Sequence, residues 1–218
     1  MKKTAKTELV FILDRSGSMC GLEADTIGGY NAMLEKQQQE YGEAIVTTVL
    51  FDDQYEVLHD RIDMHAVAPI TEKEYYARGC TALLDAIGRT ITKIANVQKH
   101  TAPEQRAERV LFVITTDGYE NASREYSYDS VRKLVELEKS RYGWEFLFLG
   151  ANIDAISTAR KFGISADRAV NYHADHAGTQ LNYEVVSETV SCVRACAPIE
   201  DNWKQRIEAD FRTRKHKR

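Results

Sequence analysis

The 218-residue chain is poor in the residues that mark several protein classes. It has three prolines and four cysteines, and no apolar run long enough to span a bilayer. Cys20, Cys80, Cys192 and Cys196 lack zinc or redox spacing, since three residues rather than two separate the last pair. Free thiols in a reducing cytosol are the resulting expectation. Neither serine of Ser16-Gly17-Ser18 has a glycine two residues before it, as a nucleophile elbow would require. Internal repeats and low-complexity tracts are absent. Cations are also in deficit, with 29 Lys and Arg against 33 Asp and Glu. Five of them crowd into Arg212–Arg218, which holds no acid, so the remaining 24 face all 33 acids. An acidic body argues against general nucleic-acid binding, and the basic end reads as a solvated terminus. Met1-Lys2-Lys3 before Leu9–Leu13 mimics a signal peptide, but that run is too short and ends at Asp14. The expectation is a cytoplasmic protein without a membrane segment.

What is present suits one sizeable core. Leu9-Val-Phe-Ile-Leu13 is a short apolar run, the pattern of a strand buried on both faces. A helix is predicted from Leu22 to Tyr41, with Ile27, Tyr30, Leu34 and Tyr41 on its inward face and Gly42 closing it. Ala44–Phe51 reads as a strand. Tyr55–Ile62 alternates apolar and polar residues, as expected for an antiparallel edge strand joined by a hairpin. Residues 63–80 are irregular, and a strong helix follows Thr81, whose hydroxyl is a candidate N-cap. Arg109–Thr116 is a second doubly buried strand. Further helices are predicted over Ser127–Tyr142, with Val131, Leu134, Val135 and Glu138 at helical spacing, over Asn152–Phe162 and over Gly178–Cys196. Strands are predicted at Trp144–Leu149 and Arg168–Tyr172. From Pro198 a separate amphipathic helix carries Ile199, Trp203, Ile207 and Phe211. The expected division is a main domain over 1–197 and a C-terminal helix with basic tail over 198–218. The alternation implies an α/β fold: a doubly wound, Rossmann-like, mostly parallel six-stranded sheet, one antiparallel edge strand, and helices on both faces.

In such sheets ligands gather outside the strands' carboxyl ends, at the switch point. The first strand delivers Asp14, Ser16 and Ser18 into its following turn, and Arg109–Thr116 ends at Asp117. One carboxylate and two hydroxyls at alternate positions are hard oxygen donors, suited to Mg²⁺, Mn²⁺ or Ca²⁺ and not to zinc. Three motifs occur in order: Asp14-Arg15-Ser16-Gly17-Ser18, then Thr81 within Gly79-Cys80-Thr81-Ala82-Leu83-Leu84-Asp85-Ala86-Ile87, then Thr116-Asp117-Gly118. Together they resemble the metal-ion-dependent adhesion site (MIDAS) of von Willebrand factor type A domains, over roughly residues 7 to 195. The chain looks like the small stand-alone bacterial or phage-encoded members. It departs from the usual pattern at Cys80, where relatives commonly carry a second glycine.

The resemblance implies that Ser16, Ser18 and Thr81 supply hydroxyl oxygens and that Asp14 and Asp117 bind directly or through water. The implied cofactor is Mg²⁺, with Mn²⁺ or Ca²⁺ as alternatives. A metal held mainly by neutral hydroxyls stays electrophilic, and an open position can capture the Asp or Glu of a protein partner. The expected function is thus a non-enzymatic, Mg²⁺-dependent protein–protein interaction module with no catalytic residues, no nucleic-acid partner and no membrane. Its oligomeric state is not legible.

The alternative is a metal-dependent hydrolase like the haloacid-dehalogenase phosphatases, which also place an aspartate after a buried first strand. Their second, acid–base aspartate lies two residues on, where this chain has Ser16. His173 and His176 form no metal spacing and read as a surface loop. Arg15 is expected to face solvent, where it could meet a partner's acid. Cys20 and Cys80, each beside a ligand loop, raise the alternative of a redox-sensitive pair.

Overall fold

In the computed structural model, which describes residues 5–215, a six-stranded sheet runs in the order β3-β2-β1-β4-β5-β6. The strands are β1 (Thr7–Asp14), β2 (Ala44–Phe51), β3 (Tyr55–Asp63), β4 (Arg109–Thr116), β5 (Glu145–Ala151) and β6 (Ala169–Tyr172). Only the β2–β3 pairing is antiparallel, so β3 is the reversed edge strand expected from its alternation. β1 lies at the centre, in parallel register with β2 on one side and β4 on the other.

Side-chain alternation along β1 explains its unbroken apolar run. Leu9, Phe11 and Leu13 join one core cluster, and Val10 and Ile12 join the other. The first cluster is covered by α1 (Glu23–Gln38) and α5 (His176–Arg194); the second by α2 (Leu83–His100), α3 (Tyr128–Tyr142) and α4 (Ala155–Lys161). A strand with helices on both faces has no side to leave polar. Among the described residues, no helix is long and apolar enough to cross a membrane.

Differences from expectation fall at element ends. α1 stops at Gln38 rather than Tyr41, and Tyr41 is 99% exposed instead of lying on the inward stripe. Gly42 adopts φ +104°, and that turn carries the chain into β2 before another helical turn can form. The C-terminal helix, α6, spans Gln205–Lys215 and does not begin at Pro198. Side chains tether the preceding segment to the entry of β6. Trp203 Nε1 donates to Asp167 O, and Lys204 Nζ donates to Ala166 O and Ala169 O. Ile199 and Ile207 are buried in the cluster beneath α5. The basic end is partly folded too, because Arg214 pairs with Asp175 and Asp210. Its last residues, 216–218, lie outside the described residues.

Candidate metal centre

The parallel β1–β4 pairing, with Leu13 opposite Thr115, brings the carboxyl ends of two buried strands side by side. Asp14 ends one and Asp117 follows the other. They are linked through Thr116, whose Oγ1 donates to Asp14 Oδ2 at 2.5 Å. Asp14 Oδ1 accepts the Ser16 backbone N–H at 2.7 Å, which bends the chain into the short 3₁₀ turn Gly17–Met19. In that bend Ser16 Oγ lies 3.0 Å from Ser18 Oγ. Thr81 Oγ1, from a loop 65 residues on, donates to Ser16 Oγ at 3.0 Å. The Ser18 hydroxyl lies close enough to Asp117 to oppose the rise that burial gives its carboxyl. All five side chains singled out in the sequence therefore stand at one place above the centre of the sheet.

Backbone contacts hold the three loops together. Gly17 N donates to Gly79 O, Arg78 N to Arg15 O, and the Tyr75 hydroxyl to Asp14 O. Ala82 N donates to Asp52 O, joining the second loop to the end of β2. The loop after Asp117 is fastened to the start of α2: Thr81 N donates to Asn121 Oδ1, and Leu84 N to Glu120 Oε2. The Asp85 carboxylate accepts the backbone N–H groups of Arg124, Glu125 and Tyr126.

Two expectations need correction. Thr81 does not cap α2: Ala82 occupies that position without a side-chain cap, and the Thr81 hydroxyl turns toward Ser16 instead. Arg15 does not face solvent. It is 1% exposed, with Nε on Asp52 at 3.1 Å, Nη2 on Glu56 at 2.8 Å and Nη1 donating to Glu74 O. The buried Asp52 carboxylate at the end of β2 draws it inward. His173 and His176 also serve structure. His173 stacks on Phe211 and lies 3.1 Å from its carbonyl oxygen, and His176 Nδ1 lies 2.6 Å from Asp25 Oδ1. Cys20 and Cys80 are free and exposed.

The sequence motifs contain Asp85 and Thr116 without assigning them a role, and the supporting residues Asp52, Tyr75 and Glu120 carry no sequence signal at all. Asp85 left a trace, being a carboxylate on the first turn of α2 beside the buried Leu83 and Leu84. Asp52, Tyr75 and Glu120 are single polar residues in loops or at strand ends, with no periodicity to mark them.

The Asp14 and Asp117 carboxylates stand here without a cationic side chain paired to either among the described residues. They are 1% and 3% exposed. Arg15, the cation next in sequence, is committed elsewhere. Burial pushes the Asp14 carboxyl up to about 6, against the hydrogen bonds from Thr116 and Ser16, and it also raises Asp117. Asp117 Oδ1 is buried without a hydrogen-bond partner among the described residues. Desolvated acids without compensation are costly, and a cation relieves the cost.

The donor set fits a hard divalent cation: two carboxylates and three hydroxyls, all oxygen. Ser16 and Thr81 are buried, whereas Ser18 is exposed, so the cluster opens to solvent on one side. Gly118 leaves that side clear, since a Cβ there would stand 3.0 Å from Ser18 Oγ and 3.3 Å from Thr81 Oγ1. Among the described residues no cluster of three or more His, Cys, Asp or Glu forms a conventional metal site. Three of the five oxygen donors here are hydroxyls, which such a cluster does not count.

No protein-family model and no curated protein matches the chain. Solved structures share its fold. The vWF domain of the type V pili tip protein Mfa5 from Porphyromonas gingivalis aligns with a TM-score of 0.61 at 10% identity, over 91% of this chain and 99% of its own. A von Willebrand factor type A protein from Catenulispora acidiphila aligns at 0.58 and 15%, over 86% and 43% respectively. Proximal thread matrix protein 1 from the mussel byssus, in a structure with a zinc-occupied MIDAS motif, aligns at 0.56 and 14%, over 86% and 46%. The chain spans less than half the length of these last two. Identities this low establish architecture: the six-stranded mixed sheet with one reversed edge is the von Willebrand factor type A fold.

Proposed function

We propose that the chain is a protein-interaction module whose Asp14, Ser16, Ser18, Thr81 and Asp117 hold Mg²⁺ and, through it, an acidic side chain of a partner protein. The observation that carries this reading is the convergence of three hydroxyls and two buried carboxylates, neither paired with a basic side chain among the described residues, at the carboxyl edge of the sheet. Ser16, Ser18 and Thr81 would hold the ion through neutral oxygens, and Asp14 and Asp117 directly or through water. Bound there, the ion would supply an electrophilic centre for a visiting Asp or Glu carboxylate, because hydroxyl ligands withdraw little of its charge. Thr116 and the Ser16 N–H orient Asp14 by occupying one oxygen each. Asp117 Oδ1 has no internal hydrogen bond to give up. The module works without catalysis in this reading. Four exposed free thiols suit a reducing compartment, which supports a cytoplasmic setting.

A phosphatase of the haloacid-dehalogenase type is not favoured. The residue two beyond Asp14 is Ser16, whose hydroxyl is engaged by Ser18 and Thr81, so no second carboxylic acid stands there to move a proton.

Calorimetric titration of Mg²⁺ into the wild type, Asp14→Ala and Asp117→Ala tests the ion. Binding in the wild type and its loss in both variants is expected, and equal binding in all three, or none in any, overturns the site. A pull-down with and without chelator then tests the partner: proteins retained only with Mg²⁺ and wild-type Asp117 are expected. Aryl-phosphate turnover abolished by Asp14→Asn would hand the site to catalysis.

A further inference from the structure

Glu138 lies on the inward stripe of α3, three residues past Val135 and seven past Val131, both fully buried. Helical spacing calls for an apolar residue there. The side chain is instead a carboxyl, 4% exposed, whose Oε2 has no hydrogen-bond partner among the described residues. Burial raises its proton affinity, with Arg141 opposing. A buried acceptor without a donor in a native protein asks for a ligand that brings one.

The surroundings supply room for such a ligand. Glu138 lines a cavity of about 150 Å³ between α2 and α3, beside the starts of β4 and β5. This is the opposite edge of the sheet from the metal centre, about 25 Å away along eight-residue strands. Trp144 and Tyr142 form its aromatic wall, and stacking on Phe112, at 5.5 Å between centroids, fixes the Trp144 ring. A second acid, Glu108, stands on the lining. Of the two cations there, Arg106 is committed, its guanidinium donating to Thr101 O and Lys99 O. Lys99 is exposed. A pocket with an aromatic wall, an apolar floor of Ala95, Ala107 and Val110, and a buried carboxylate selects a cation on a short hydrocarbon stem.

We propose that this cavity is a second binding site, taking a primary ammonium on a short aliphatic stem, with the ammonium donating to Glu138 and the stem lying against Trp144 and Tyr142. Such a group is offered by a free alkylamine or by a lysine side chain of another protein. The site is independent of the metal reading.

The full chain, labelled with ¹⁵N and kept at pH 7.5 without divalent metal, would be titrated with n-butylammonium, n-butanol and butyrate, and with Nα-acetyl-lysine amide. The readout is the Trp144 indole N–H resonance, assigned with Trp144→Phe. The Trp203 indole, held by Asp167 O, serves as internal reference. A saturable shift of Trp144 with n-butylammonium is expected, at least tenfold weaker with n-butanol and absent with butyrate. Glu138→Gln should weaken n-butylammonium at least tenfold while the Trp203 signal stays in place. Lys99→Met should leave binding equal or tighter, since it removes an exposed ammonium that lines the same cavity. Tighter binding of acetyl-lysine amide than n-butylammonium points to a protein-borne lysine, and the reverse to a free amine; both support the site. Equal binding of n-butanol and n-butylammonium to the wild type overturns the proposal even if Glu138→Gln does not fold. Unchanged binding in a folded Glu138→Gln, lost binding in Lys99→Met, or an unmoved Trp144 resonance also overturns it.

Discussion

Asp85 and Tyr126 are joined by a 2.8 Å hydrogen bond from backbone N–H to carboxylate, and Arg124 and Glu125 donate to the same carboxylate at 2.8 and 2.9 Å. One side chain on the first turn of α2 thus holds three consecutive amides of the loop that begins at Asp117. Thr81 and Asp117 reach the same point because this clamp makes their two loops one unit. Hydrogen bonds to a charged acceptor contribute more than neutral ones, and losing the acceptor leaves partly buried amides unpaired. Asp85→Ala should therefore cost about 3 kcal/mol of folding stability. Urea denaturation measures it, and Mg²⁺ affinity should fall with it although Asp85 is not a ligand. A loss confined to stability would show that the clamp does not shape the site.

Asp52 is the corresponding anchor on the other side of the centre. It is fully buried and accepts Arg15 Nε at 3.1 Å and Arg78 Nε at 2.5 Å. Removing one member of a buried pair strands the other charge, so Asp52→Ala should cost about 3–5 kcal/mol. The Arg89–Glu125 pair is bidentate but exposed, and Glu125→Ala should leave the denaturation midpoint almost unmoved. Comparable losses from the two variants would contradict this ranking by burial.

How far the molecule could be read from its residues depended on periodicity. β1 and β4 announced themselves because both faces are covered, so every position in Leu9–Leu13 and Val110–Ile114 had to be apolar. The reversed β3 was legible because one face is half open and its side chains alternate. Asp14, Ser16, Ser18 and Asp117 stood out as motifs at the ends of β1 and β4, and Thr81 as one ahead of α2, and the structure brings the five together. The burial of Arg15 was not legible, because it depends on Asp52, 37 residues away, which only the β1–β2 pairing brings alongside. The same limit applies to Thr81, whose hydroxyl is claimed by Ser16 across 65 residues, against a local preference for capping.

Adjacent glycines in α1 should respond with opposite signs. A Cβ on Gly28 would meet nothing within 4 Å, whereas one on Gly29 would stand 2.4 Å from the Tyr183 ring, itself buried under α1. Alanine lowers the conformational entropy of the unfolded chain at both positions, and at Gly28 that is the whole effect. Gly28→Ala should stabilise by about 0.5–1 kcal/mol. At Gly29 the gain is outweighed by forcing α1 and α5 apart, for a net cost of about 1–3 kcal/mol. Thermal denaturation of the two single variants checks the pair, and the same sign in both would show that the α1–α5 contact is looser than the structure has it.

The Glu138 carboxyl also makes a prediction about pH that requires no ligand. Burial raises its pKa in the folded state and Arg141 offsets this only in part, so the native protein holds that proton more tightly than the unfolded chain does. Where the native state binds more protons, stability falls as pH rises. The contribution of Glu138 is thus fully present below the ordinary glutamate value of about 4.3. It is lost as pH rises through the elevated folded value. Other carboxylates titrate in the same range, so the informative quantity is the difference between wild type and Glu138→Gln. That difference should move in favour of the wild type as pH is lowered from 7, and level off below the ordinary carboxyl range. Glu138→Leu completes the apolar stripe of Val131 and Val135 and removes an unpartnered buried oxygen. At pH 7 it should be more stable than wild type by about 1–2 kcal/mol. Urea denaturation of the three proteins at pH 4, 5.5 and 7 reads both effects. A difference that stays flat with pH would mean that the carboxylate is solvated or paired at neutral pH and that its burial carries no cost.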